Sequence, residues 1–144
     1  MSLPAQIDAL VTRLQTMAPA RVVTRDYRDF ADRDPADLAA GVLTVISLGE
    51  PSYPDEIYEP GRFGVHDLMV VGQIQLPEDA TGSQVEDAEF AVMADIKLAV
   101  QDPLPADLFG LALRSFRQSG QLERPFGWVS ASLQIDVAKS RITT

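Results

Sequence analysis

Residues 83–100, SQVEDAEFAVMADIKLAV, form the one long uninterrupted helical pattern in this chain, and the rest must be arranged around it. Ser83 followed by Glu86 has the S-x-x-E spacing of a capping box, in which side chain and backbone satisfy each other's orphan groups. Asp87 and Glu89 add negative charge to the first turns, where the helix dipole favours it. Asp102 precedes Pro103, and a residue before proline is pushed out of the helical region, so the pattern stops there. At about 100° per residue, Val85, Ala88, Val92, Ile96 and Ala99 share one face, which predicts a helix lying on a sheet. A second apolar stripe, Phe90, Ala91, Ala94 and Leu98, sits roughly opposite. Glu86 and Lys97 separate the two on one flank and Asp95 on the other. A surface helix ordinarily has one apolar stripe and a polar back. The second stripe therefore calls for a cover, either another element of the same chain or a neighbouring subunit. The chain is short of a spare helix for that role, which favours the neighbour.

The remaining elements follow from periodicity and punctuation. Ile7, Leu10, Val11, Leu14 and Met17 repeat at three and four residues, predicting a helix from about Pro4 to Met17. Val22 and Val23 suggest a short strand. The charged run RDYRDFADRDPAD, residues 25–37, reads as a loop with one helical turn after Pro35. Asp32, Asp34 and Asp37 lack the turn glycine and distant glutamate of a calcium loop, and a solvated loop is the better reading. A strand runs from Gly41 to about Leu48. The loop that follows, EPSYPDEIYEPG, is too rich in proline for regular structure. Its Tyr53, Ile57 and Tyr58 are either a docking surface or residues folded back onto the domain.

Residues 63–76 read as a long strand with Leu68, Val70, Ile74 and Leu76 on one face and Gly72 as a bulge or close-approach point. Met69 and Val71 make its other face partly apolar. Leu111 to Arg117 is a strand, and Ser119-Gly120 a turn. In the last strand Val129, Ala131, Leu133, Ile135 and Val137 alternate strictly with polar residues, the mark of one buried face. These elements make one α+β domain over residues 1–144, with a mostly antiparallel sheet packed by an N-terminal helix and a long central helix.

Composition narrows the function. With 144 residues and 46% hydrophobic content the chain can bury a full core. It has no Cys, which excludes disulfides, thiolate metal sites and a thiol nucleophile. No apolar run reaches the roughly 18 residues of a membrane span, and no signal peptide is visible, so an intracellular protein is expected. Net charge is −9, concentrated between residues 41 and 110, where Arg62 and Lys97 are the only basic side chains. Such a segment repels a phosphate backbone, so tight nucleic-acid binding is not expected.

The chemistry is sparse. His66 is the only histidine, and its neighbour Asp67 points to the opposite face of a strand, so the two cannot act as base and orienting carboxylate. No nucleophile elbow, zinc-helix motif or phosphate-cradling loop is present. Phe126 and Trp128 open the last strand and suit packing better than stacking on a ligand. No catalytic, cofactor-binding or metal-ligating set emerges, and no enzyme is expected.

In order and length, the N-terminal helix, the strand at 41–48, the loop, the long strand, the acidic helix ending near proline and the closing hairpin resemble the tail terminator family of long-tailed bacteriophages, which includes the minor tail protein U. The likeness spans residues 4–139 and rests on layout. It departs in the long charged run at 25–37 and the proline-rich loop at 50–61. The resemblance implies a structural protein that forms a hexameric ring on the head-proximal end of the tail tube. That ring ends tube polymerisation and presents the head-joining surface. Its partners would be further copies of itself, the tail tube protein and a head-completion protein, with no cofactor. It would work in the host cytoplasm during assembly and then in the virion tail. The stripe Phe90, Ala91, Ala94 and Leu98 would be a subunit interface, and Tyr53, Ile57 and Tyr58 a tube-docking contact. An acidic lumen would let DNA pass without sticking. The competing expectation is a small acidic adaptor unrelated to phage tails.

Overall fold

The computed structural model describes residues 2–52, 64–101 and 103–136. Eight elements follow in order: α1 (Leu3–Met17), β1 (Val22–Thr24), α2 (Pro35–Ala40), β2 (Val42–Ser52), β3 (Val65–Gln75), α3 (Gly82–Val100), β4 (Leu111–Gln118) and β5 (Phe126–Asp136). Single 3-10 turns at Phe30–Asp32 and Ala106–Leu108 punctuate the loops. The strands make one five-stranded sheet in the order β1-β2-β3-β5-β4. Every pairing is antiparallel except β1 with β2. A parallel pair needs a long connection, and residues 25–41, containing α2, provide it. The fold is the α+β arrangement that the hydrophobic pattern predicts.

Strand alternation divides the sheet into two unlike faces. Leu43, Val45, Leu68, Val70, Ala131, Leu133 and Ile135 are buried on the face that receives both long helices. Leu10 and Leu14 of α1 and Val92 and Ile96 of α3 complete that core, all within 1% of full burial. Each such side chain contributes about 1.5–3 kcal/mol of transfer free energy. Gly72 is the close-approach point of β3, because a Cβ built there would lie 2.5 Å from Val92 Cγ1. Only a residue without a side chain lets α3 settle this near the sheet.

α3 begins two residues earlier than its most obvious cap. Thr81 is the N-cap: its hydroxyl accepts from Gln84 N at 3.2 Å, and its own N–H donates to Gln84 Oε1 at 2.9 Å. The pair has the same spacing as Ser83 and Glu86, and starting there adds residues to the hydrogen-bond ladder. Glu86 is thereby released to accept from Gln121 Nε2. The stretch joining β4 to β5 is also longer than the Ser119-Gly120 turn alone, running from Ser119 to a cis Arg124–Pro125 bond.

The second sheet face is covered over part of its area by residues 25–40. Arg33 ties this strap down, donating from Nε to Gln73 Oε1 at 2.8 Å and from Nη2 to Thr44 Oγ1 at 3.1 Å and Asp26 O at 2.9 Å. Gln73 in turn donates to Arg28 O at 2.9 Å. Phe30 meets Phe126 of β5 with ring centroids 5.0 Å apart in a tilted geometry, the offset that aromatic quadrupoles favour. Asp34 caps α2, accepting from Ala36 N.

Candidate functional site

Three features stand apart from the core. The first is the outer surface of α3. Phe90 keeps 48% of its surface exposed and Leu98 39%, with Ala91 and Ala94 exposed between them. The inward face carries Val85, Val92, Ile96 and Ala99, all buried, while Asp95 on the flank holds Arg21 at 2.8 Å. No described element of the chain lies over the second stripe, so the spare-helix cover is absent among the described residues. The proposed docking residues Tyr53, Ile57 and Tyr58 lie outside the described residues, as does Val137 of the alternating run.

The second feature is a cavity of about 570 Å³ on the opposite face of the sheet, between the strap and the strands. Ile46, Met69 and Val71 line its floor, and Tyr27, Phe30 and Trp128 its walls. On the reverse of β3, Val71 and Gln73 are buried and Met69 is half-buried, so the middle of this strand is covered on both sides and the cavity opens beside Met69. Asp29 and Glu123, both exposed, border the opening. Arg33 lies near the strap's anchor, where burial first, and then the charge of Arg28, holds its pKa below the ordinary arginine value. The guanidinium is nevertheless charged at any neutral pH and serves as a structural clamp.

The third feature is a polar chain near the last residues of β2 and the first of β3. Ser47 Oγ lies 2.6 Å from His66 Nε2, and His66 Nδ1 lies 3.3 Å from Glu50 Oε1. A carboxylate only accepts, so Nδ1 carries the proton; Nε2 of the neutral ring is then the acceptor and the serine hydroxyl donates. Ser47 is exposed, whereas His66 is 5% exposed. Asp67 does point away, accepting from Gln134 Nε2 at 3.1 Å on the other face. The partners of His66 come instead from the neighbouring strand. Register brings them there: Ser47 pairs with Leu68, two residues from His66 and on the same face, and irregularities between Ser47 and Ser52 carry Glu50 toward the ring.

Glu89, which the sequence places in the dipole-compensating first turns, is instead buried to 1% exposure. Ser119 Oγ and Trp128 N, the latter at 3.0 Å, both donate to its Oε2, and Gln118 Nε2 approaches Oε1 at 3.4 Å. Gly127 leaves room for it, since a Cβ there would stand 2.9 Å from Oε2. The carboxylate bolts α3 to the β4–β5 hairpin and has no route to a ligand.

Among the described residues no cluster of three or more His, Cys, Asp or Glu is arranged to hold a metal, and no helix is long and apolar enough to cross a membrane. No family model matches the chain, and no curated protein matches it.

Proposed function

We propose that this protein is a self-assembling structural subunit of the tail-terminator kind, closing into a hexameric ring on a tail tube and presenting a head-joining surface. The observation that carries the reading is the uncovered stripe of α3. Phe90, Ala94 and Leu98 recur at four-residue spacing, and Phe90 and Leu98 are 48% and 39% exposed on a helix whose other face is fully used. Alanines between large apolar side chains let a partner's surface come close. Large residues held in water this way cost the monomer solvation free energy that a neighbour recovers.

A second support comes from the layout of surfaces. A ring is built from heterologous contacts, in which each subunit offers two different patches. Here the stripe lies on the outside of the helix layer and the apolar cavity on the reverse of the sheet, so two unlike patches face opposite ways. The tube protein and the head-completion protein are the further partners of this reading, with virion assembly as its setting.

The experiment is light scattering after size exclusion over a wide concentration range. The wild type is expected to show six times the 15.7 kDa protomer mass. Leu98→Glu should remain folded, because surface substitutions usually change stability by about 0.5 kcal/mol or less, yet fail to form the ring. A folded Leu98→Glu protein that still assembles removes the stripe as the interface. A wild type that stays dimeric at every concentration removes the ring.

A further inference from the structure

We infer that Ser47, His66 and Glu50 form an acyl-transfer site that takes small carboxylic esters, an activity separate from assembly. The three side chains stand in the order nucleophile, base, orienting carboxylate, with each ring nitrogen of His66 facing a different partner, at 2.6 Å to Ser47 and 3.3 Å to Glu50. Function in such sites lies in this geometry and not in sequence order. The imidazole is nearly enclosed while Ser47 as a residue is exposed, so the base is held in place beside a nucleophile at the surface.

The backbone adds a second element. β1 pairs with β2 only as far as Thr44, and beyond it the outer edge of β2 has no partner strand among the described residues. Gly41 points its carbonyl at β1, accepting from Val22 N, and alternation turns Val45 and Ser47 the same way. The N–H of the nucleophile itself thus faces an edge with no partner strand among the described residues, where an oxyanion can be received. The site lies on the helix-side face of the sheet, away from the cavity, and offers no deep acyl pocket among the described residues. Small esters are the class it fits.

In the reaction, Ser47 Oγ bonds to the ester carbonyl carbon and its proton passes to His66 Nε2. The carbonyl π pair moves onto oxygen. Collapse breaks the bond to the alkoxide, which leaves as an alcohol carrying that proton. Water then repeats the sequence on acyl-Ser47, and the carboxylic acid departs. Glu50 is a positioning residue, holding Nδ1–H.

The test treats the full chain with a fluorophosphonate probe, which forms an Oγ–P bond and expels fluoride, and maps the adduct by peptide mass. The expected result is one adduct, at Ser47, lost completely in Ser47→Ala. Hydrolysis of p-nitrophenyl acetate should fall by about 10²–10⁴-fold in His66→Gln, the usual contribution of a general base. Glu50→Gln should lower the limiting labelling rate without changing the probe concentration that half-saturates it. Wild-type protein left unlabelled at Ser47, with its circular dichroism intact, overturns the proposal. So does equal labelling of wild type and His66→Gln. The Ser47–His66 contact then serves only to satisfy a buried imidazole. Ring formation is scored separately by mass, so either reading can fail alone.

Discussion

Removing the Glu89 carboxylate tests whether this buried acid is held for its charge or for its acceptor oxygens. In Glu89→Ala the Trp128 N–H and the Ser119 hydroxyl lose their common acceptor. A buried donor left without a partner costs about 1–3 kcal/mol, so the two together cost about 2–6 kcal/mol before any cavity term. Domain stabilities run about 5–15 kcal/mol, so this is a large share. At this chain length about 2–4 °C is lost per kcal/mol, giving a fall of roughly 5–20 °C in melting temperature. In Glu89→Gln the amide oxygen can occupy the Oε2 position and keep both bonds. Its NH2 then faces the Gln118 side chain, whose own amide can turn to present oxygen. The loss is the difference between charge-assisted and neutral bonds, set against relief from burying a charge, and comes to about 1 kcal/mol in either direction. Thermal and urea melts of the three proteins measure both values. Equal stability of Glu89→Ala and Glu89→Gln would refute the acceptor argument, because it would mean that the oxygens satisfy nothing of consequence.

Two further substitutions examine packing and the strap. Gly72→Ala should destabilise by about 1–3 kcal/mol through overpacking against Val92; adding Val92→Ala should recover part of the clash, and urea melts that show no recovery would place the strain elsewhere. Arg33→Met removes the donors to Gln73, Thr44 and Asp26 O, so residues 25–33 should exchange amide hydrogens faster. The one tryptophan, Trp128 in the cavity wall, should then become more open to acrylamide quenching, and unchanged quenching would mean that the Phe30–Phe126 contact alone holds the strap.

The parts of this molecule that could be read in advance are those in which a period of 2 or 3.6 reports one buried face. The alternation from Val129 to Ile135 and the inward stripe of α3 meet the same core, and both were visible in the residue order alone. The cap of α3 was ambiguous because Thr81–Gln84 and Ser83–Glu86 have equal spacing, and only the hydrogen-bond ladder separates them. Glu89 was misplaced for a different reason. It lies on the inward side of the helix, and nothing in a wheel says that Ser119 and Trp128, thirty or more residues later, supply donors there.

The same reasoning explains why a lone histidine beside an aspartate looked inert. Sequence neighbours in a strand point apart, so the residue that orients a strand histidine must come from another strand. Its identity depends on register, and register depends on the hairpin and its irregularities. In β2 those irregularities fall between Ser47 and Gly49 and between Gly49 and Ser52. Shifting the pairing by one residue would turn Ser47 to the cavity face and leave His66 with no hydroxyl. The Glu50 contact is therefore a property of the bulged pairing, and a change at Gly49 that regularised the strand should separate Glu50 from His66 while leaving Ser47, on the regular side of the bulge, and every core residue in place.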